Sequence, residues 1–198
     1  MKKFRIVLDF GHGGSKPGAT YAGCLEKDVN LLLGQTIYQA LHESKETTET
    51  LQVMLTRDAD YDIPISTRVK LINEHHKNDP IQLVCSIHHN STSDTTANGF
   101  ECYYHESSSI GLLFSKNIVE QVRLTGTPIR NNGYITTTQL GRPLAMIHKI
   151  NPPSILIEAG YLSNSSDRNK AFDDVYRNKL SNKIACGIWT TMRNKPIQ

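Results

Sequence analysis

Phe4-Arg5-Ile6-Val7-Leu8-Asp9-Phe10-Gly11-His12-Gly13-Gly14 is the stretch that decides the fold. Its first seven residues form an apolar run that ends in a glycine-rich turn, the pattern of the first buried strand of a parallel sheet. From Glu26 to about Glu43, Val29, Leu32, Leu33, Ile37 and Leu41 recur at helical spacing, with acidic residues in the first turn. Val53 to Leu55 reads as a short strand leading into Thr56-Arg57-Asp58. Ile65 to about His76 reads as a second helix, with Val69 and Ile72 on one face. Gln82 to Ile87 is a second buried strand, Gly99 to Tyr104 alternates as another, and Ile110 to Leu124 is a third helix.

The segment from Thr125 to Arg142 is polar and rich in Gly, Asn and Thr, which predicts a long surface loop with short strand pieces. After Pro152-Pro153 the chain restarts into a strand from Ser154 to Ile157, and a last helix runs from about Tyr176 to Met192, with Leu180, Ile184, Ile188 and Trp189 inward. Strands alternating with helices indicate an α/β fold: a single catalytic domain over residues 1–198, with a mostly parallel twisted sheet flanked by helices on both faces. In such sheets functional groups collect beyond the carboxyl ends of the strands. His12, the His88-His89 pair and Glu158 all fall at that end, and Glu26 can occupy the same rim.

A length of 198 residues is enough to bury about 70% of the unfolded surface in one domain. A formal net charge of +3 is too small and too dispersed for a nucleic-acid binder. No stretch approaches the ~20 apolar residues that span a bilayer. Cys24, Cys85, Cys102 and Cys186 show no C-x-x-C pairing. Cys85 and Cys102 lie in strand-like runs and read as small buried hydrophobes; Cys24, two residues before Glu26, is the open case. Met1-Lys2-Lys3 resembles the start of a signal peptide, but Arg5 and Asp9 interrupt the apolar run and no cleavage site follows. The expectation is synthesis in the cytoplasm in a reduced state.

Two histidines and a glutamate hold Zn²⁺ with a fourth position open, and a further carboxylate nearby serves as proton acceptor for an attacking water. His12, Glu26, one histidine of the His88-His89 pair and Glu158 supply that set, which indicates a hydrolase. Each has a bland reading. Gly11, Gly13 and Gly14 around His12 suit a plain tight turn, although the spacing is not that of a phosphate-binding loop. Glu26 alone is a helix-start carboxylate favoured by the macrodipole. Strand alternation sends His88 and His89 to opposite faces, which leaves either as the ligand. Glu158 is hardest to explain away, because Ile155-Leu156-Ile157 before it and Ala159-Gly160 after it give no reason to bury a charge. His42, His75, His76, His105 and His148 lack such a context; His75 and His76, near a helix end that favours cations, read as structural.

Ile6 to Gly14, Gly18-Ala19, Glu26-Lys27-Asp28-Val29, Leu55-Thr56-Arg57, Ser66-Thr67-Arg68, Ser86-Ile87-His88-His89-Asn90 and, most specifically, Ser154 to Asn164 resemble the zinc-dependent N-acetylmuramoyl-L-alanine amidases of the amidase-3 type. These include bacterial cell-division amidases and phage endolysin catalytic domains. The resemblance implies one Zn²⁺ held by His12, Glu26 and His88, with Glu158 as the catalytic carboxylate. It selects His88 over His89, because the family motif is Ser-hydrophobic-His, a variable residue, then Asn or Asp. Asp9, Asn90, Arg57 and Arg68 fall in motif-matching positions and are expected to orient ligands or tie loops to the rim. Phe10 stands for the common Pro and Tyr161 for the usual Phe, two changes expected to leave the chemistry untouched.

The implied substrate is peptidoglycan, cut between N-acetylmuramic acid and L-alanine, by a monomer that neither binds nucleic acid nor inserts in a membrane. The stretch between His88 and Glu158 is short for the inserted helix that blocks some division amidases, and no wall-binding repeat follows Gln198. That fits a phage or prophage lysin released by a separate export or lysis factor. Two other readings compete: a cytosolic zinc amidohydrolase or carboxypeptidase acting on small N-acyl amino acids, and a peptidoglycan-binding module without turnover.

Overall fold

The structure is a computed structural model that describes residues 3–43 and 50–194. Its strands are β1 (Phe4–Phe10), β2 (Thr20–Tyr21), β3 (Cys24–Leu25), β4 (Leu51–Leu55), β5 (Leu83–Asn90), β6 (Phe100–Tyr104), β7 (Ile129–Thr136) and β8 (Ser154–Tyr161). The helices are α1 (Glu26–His42), α2 (Ile65–Asn78), α3 (Ser109–Arg123), α4 (Thr137–Leu140), α5 (Ala145–His148), α6 (Ser165–Phe172) and α7 (Asp174–Asn194). Six strands form one sheet in the order β4-β1-β5-β8-β6-β7, while β2 and β3 make a small separate ribbon before α1. β4, β1, β5 and β8 are parallel; β6 runs antiparallel to β8, and β7 follows β6 in parallel. The mostly parallel α/β sheet read from the sequence is present, with the direction reversed in its last two strands.

Alternation along the central strands divides the core. Ile6, Leu8 and Phe10 of β1, Cys85 and Ile87 of β5, and Ile155 and Ile157 of β8 face α1, α3 and α7. They pack there on Leu33, Ile37, Phe114, Ile118, Leu180, Ile184 and Ile188. Burying each such Ile, Leu or Phe contributes about 1.5–3 kcal/mol, so this face carries most of the apolar stabilisation. Trp189, also read as inward, is partly buried and meets Phe4 edge-on at 5.8 Å. The opposite face is thinner. Val7 and Val84 pack there on Ile72 of α2 and Met146 of α5, and Leu156 and Tyr103 pack on Ile147. At the carboxyl ends of β1, β5 and β8 this face turns polar, and that is where the site lies.

Three local expectations need correction. β5 and β8 run to Asn90 and Tyr161, three and four residues past the expected ends, so His88 and Glu158 sit within strands, paired with each other across the sheet. Residues 125–142 hold an eight-residue strand and a helical turn rather than mainly loop. Asn131 and Asn132 have φ of 46° and 62°, and the β6–β7 register shifts between Phe100 and Cys102, so an irregular polar edge hides the strand period. α6 was not foreseen; Asn164 starts it by accepting hydrogen bonds from the amides of Ser166 and Asp167. All four cysteines are free: Cys85 and Cys102 are buried, Cys24 half-buried and Cys186 exposed. No described helix is long and apolar enough to cross a membrane.

Candidate metal centre

The site begins with the turn after β1. The Gly11 amide donates to the Ile87 carbonyl at 3.0 Å, which holds the turn against β5. His12 then takes a left-handed conformation, φ 64°, that non-glycine residues seldom adopt. Two buried arginines hold this backbone in place. Arg57 donates to the carbonyls of Phe10 (2.9 Å), Gly11 (3.0 Å) and Lys27 (2.7 Å). Arg68 donates to those of Phe10 (2.7 Å), His12 (2.6 Å) and Ile63 (3.0 Å), and to the Asp9 carboxylate at 2.9 Å. Asp9 also accepts from Ser86 (2.6 Å) and Thr56 (2.7 Å). Burial alone would push its carboxyl up, but the Arg68 guanidinium and the two hydroxyls hold it below the usual carboxylate range. Asp9, Arg57 and Arg68 thus act on the histidine turn from beneath, as buried ties.

Glu26, the first residue of α1, turns its carboxylate inward between two imidazoles. Oε2 lies 3.1 Å from His12 Nε2, and Oε1 lies 2.8 Å from His88 Nδ1. The rings stand edge to face, centroids 5.1 Å apart, and one donor atom from each of the three residues lies within 4.8 Å of the others. Glu26 is only 5% exposed. It also accepts from the Ala19 amide (2.9 Å), the His89 amide (3.3 Å) and Asn30 Nδ2 (3.2 Å). Burial raises its pKa, yet the hydrogen bonds and charges of His12 and His88 outweigh this and hold it well below the carboxylate range. His89 points to the other face of the sheet, where Nδ1 meets Asn30 Oδ1 at 2.9 Å. Alternation therefore gives His88 to the cluster and His89 to the core.

Glu158 is 8% exposed and lines the same cleft as His12, Glu26, His88 and Asn90. Its Oε2 is buried with no hydrogen-bond partner. Burial first, then the negative charges of Glu26 and Glu101, push its carboxyl well above the usual range, against the opposing pull of Arg142. Buried polar atoms are nearly always paired, so an unpaired carboxylate oxygen beside three metal-type donors points to a group that the protein atoms do not supply. Asn90 sits at the rim; its Oδ1 accepts from the Ser91 amide at 2.8 Å, and its amide nitrogen is 3.5 Å from the Tyr103 hydroxyl.

The Amidase_3 family, described as N-acetylmuramoyl-L-alanine amidase, matches residues 6–190. The chain belongs to this family. The amidase is 28% identical to the germination-specific N-acetylmuramoyl-L-alanine amidase of Bacillus subtilis, over 92% of this chain and 77% of that one. The catalytic domain of CwlV, an N-acetylmuramoyl-L-alanine amidase from Bacillus (Paenibacillus) polymyxa var. colistinus, superposes with a TM-score of 0.81 at 29% identity, over 98% of this chain and 100% of that one. An N-acetylmuramoyl-L-alanine amidase from Clostridium difficile 630 shares the fold with a TM-score of 0.85 at 24% identity, over 99% and 100% of the two chains.

Two glycines of the amidase are fixed by the cluster itself. A Cβ on Gly11 would fall 2.3–2.6 Å from three atoms of the His88 ring, and one on Gly18 (φ +71°) would fall 2.5 Å from Glu26 Oε2 and 2.6 Å from His12 Cδ2. Gly11→Ala is therefore expected to fold but displace the His88 ring. Metal affinity should drop roughly 10–100-fold, the usual cost of disturbing what orients a ligand. Titration against a competing chelator reads this out, and unchanged affinity would show that the ring has room to move.

Several residues of the amidase site escaped the sequence reading. Asn30 is fully buried and joins Glu26, the Gly11 carbonyl (3.2 Å) and His89. Its position one turn after Glu26 on α1 was the available signal. Glu101 is paired opposite Glu158 across the β6–β8 junction. It accepts from Asn131 (2.6 Å), Tyr161 (3.1 Å) and Tyr103 (3.3 Å). Tyr161 thus adds a hydroxyl to a buried network next to Glu158.

Proposed function

We propose that the amidase binds one Zn²⁺ through His12, Glu26 and His88, and that Glu158 is the acid–base in hydrolysis of the amide between N-acetylmuramic acid and L-alanine of peptidoglycan. The observation that carries this reading is the unpaired Glu158 Oε2 of a residue that lines one cleft with a two-histidine, one-carboxylate donor set. The donors suit the ion: two imidazole nitrogens and an anionic carboxylate converge, and the acid's charge offsets part of the cation's. A zinc ion there supplies Lewis acidity, which polarises an amide carbonyl and acidifies water.

The remaining chemistry belongs to the chain. The Ala19 and His89 amides and Asn30 hold Glu26, so its oxygens stay aimed at His12 and His88. Glu158, with an oxygen free, takes a proton from the attacking water and returns it to the departing alanine nitrogen. Arg142, Leu144, Met146 and Leu156 line the cleft around it and shape the space for a glycopeptide.

Glu158 must be ionised to act as the base, so rate should rise as pH passes through its pKa. Glu101 raises that pKa by its negative charge, and a bound cation would lower it. Glu101→Gln should therefore move the acid limb of the kcat/KM profile to lower pH. An acid limb that stays in place would remove Glu101 from this role.

Mass spectrometry of digested, purified peptidoglycan tests the bond assignment. Stem peptides with a free alanine amino terminus beside intact glycan are expected, with loss on chelation and recovery on adding Zn²⁺. Turnover of small N-acyl amino acids without attack on sacculi would favour the amidohydrolase reading, and binding of sacculi without turnover in excess zinc would favour a binding module. A phage-type lysin setting belongs to the same proposal and has its own assay: a lysin clears suspensions of intact cells as well as digesting sacculi.

A further inference from the structure

Away from the cleft, a second group of ligand-type side chains converges from two separate segments. His105 and Glu106 follow directly on β6, and His148 is the last residue of α5. One donor atom from each lies within 4.8 Å of the other two, and the two imidazole centroids are 4.9 Å apart. Glu106 Oε2 is 4.0 Å from His105 Nδ1, beyond hydrogen-bond range. Thr137 Oγ1 lies between the segments, 3.2 Å from Glu106 Oε2 and 3.3 Å from His148 Nε2. Two imidazoles and a carboxylate therefore crowd together with a threonine hydroxyl between them.

We propose that His105, Glu106 and His148 form a second transition-metal site, distinct from the cleft, that takes a borderline-soft divalent cation such as Zn²⁺, Co²⁺ or Ni²⁺. Two imidazoles with one carboxylate select such ions over Mg²⁺ and Ca²⁺, which require mostly oxygen ligands. The environment of His148 is an independent support. Its Nδ1 lies 3.1 Å from the Leu144 carbonyl, and metal-binding histidines usually donate their other ring N–H to such an acceptor. The Leu144 amide is 3.2 Å from the same nitrogen, so a cation at Nε2 selects the tautomer that donates to the carbonyl. His105 Nδ1 accepts from the Ser107 amide at 3.2 Å and meets the Ser107 hydroxyl at 2.9 Å. Ser107 is exposed, so water can satisfy those groups when a metal takes the nitrogen. The Glu106 carboxyl is held below the usual range by its own backbone amide and by the hydroxyls of Thr138 and Thr137, which keeps it ionised at neutral pH.

The place of this site gives it a consequence for the cleft. Residues 137–148 run from Thr137 to His148, and within them Arg142, Leu144 and Met146 line the cleft that holds Glu158. A cation bridging His148 to His105 and Glu106 fastens this rim segment to the turn after β6.

The test uses untagged full-length chain in which His88→Ala disables the cleft centre. Calorimetric titration with Zn²⁺ should still show one equivalent bound. Adding His148→Ala or, independently, Glu106→Gln should weaken that binding at least tenfold. The remaining Zn²⁺ binding should resist excess Mg²⁺, and amide exchange across residues 137–148 should slow on Zn²⁺ addition. Both His148 and Glu106 are exposed, so circular dichroism without metal should match for all variants. If His88→Ala binds no Zn²⁺, or binds it equally well with and without His148→Ala and Glu106→Gln, the second site is overturned. Neither result bears on the cleft centre, whose own test is peptidoglycan cleavage lost on chelation and recovered with Zn²⁺.

Discussion

Glu158→Gln is expected to fold, keep the cleft metal and still bind peptidoglycan, while turning it over at least a hundredfold more slowly. General acid–base assistance is worth about 10²–10⁴-fold, or roughly 3–5 kcal/mol of barrier. Its Oε2 is buried and has no hydrogen bond to lose. Glu158→Asp, one methylene shorter, should also be badly impaired, because proton transfer depends on reach. A second readout needs no substrate. Burial and the charges of Glu26 and Glu101 raise the folded-state pKa of Glu158. In chelated protein, therefore, its stabilising contribution is complete below the unfolded glutamate pKa of about 4.3 and is lost as pH rises through the elevated one. Chelated Glu158→Gln should be more stable than the parent at neutral pH and lose that advantage in acid. Near-normal turnover by Glu158→Gln, measured as released stem peptide, would assign the base elsewhere.

Adjacent histidines should behave in opposite ways. His88→Ala removes one of the three cleft donors and should abolish cleft metal and activity with little loss of fold, since its ring is at the cleft surface. His89→Ala should keep the metal and lose stability. His89 is 5% exposed and bonded to Asn30 at 2.9 Å; removing it leaves a buried amide oxygen unpaired, at a cost of about 1–3 kcal/mol, besides the cavity. Burial pushes the His89 pKa down to about 4. A depressed histidine pKa stabilises above the unfolded value of about 6.5, and this is lost as pH falls toward 4. The parent should therefore lose stability across that window, and His89→Ala should flatten the curve. Metal analysis by mass spectrometry, made in a His148→Ala background so that only the cleft centre counts, and thermal melts decide; a metal-free, stable His89→Ala beside a metal-loaded His88→Ala would shift the ligand register by one.

Much of this was legible because the informative residues are local. Ile6 to Gly14 carries its own strand, turn and first ligand, and Ser154 to Asn164 carries a strand with an unexplained acid. Alternation alone places His88 and His89 on opposite faces. What could not be read depends on pairing at a distance. Glu101 gains meaning only because β6 runs antiparallel to β8 and sets it opposite Glu158. Arg57 and Arg68 are expected as rim ties, but which carbonyls they hold depends on the burial that puts their guanidinium groups under the His12 turn. His105 and His148 were set aside because each is unremarkable in its own segment, and only the packing of α5 near the end of β6 brings them together. β7 was hidden by the positive-φ asparagines that break its period.

The arginine ties beneath the His12 turn bear on the order in which the molecule assembles. Arg57 follows the edge strand β4 and Arg68 lies on α2, while the cleft donors come from the β1 turn, α1 and β5. Until the edge strand has docked beside β1, the carbonyls of Phe10, Gly11 and His12 lack these guanidinium partners, and the left-handed His12 has little to hold it. A cation held at His12 would therefore need the edge strand in place before it could bind. A cation acting so late should slow the escape from the native state far more than it speeds arrival there. On the proposed metal-binding reading, chelation should then hasten unfolding in denaturant while leaving the folding rate almost unchanged.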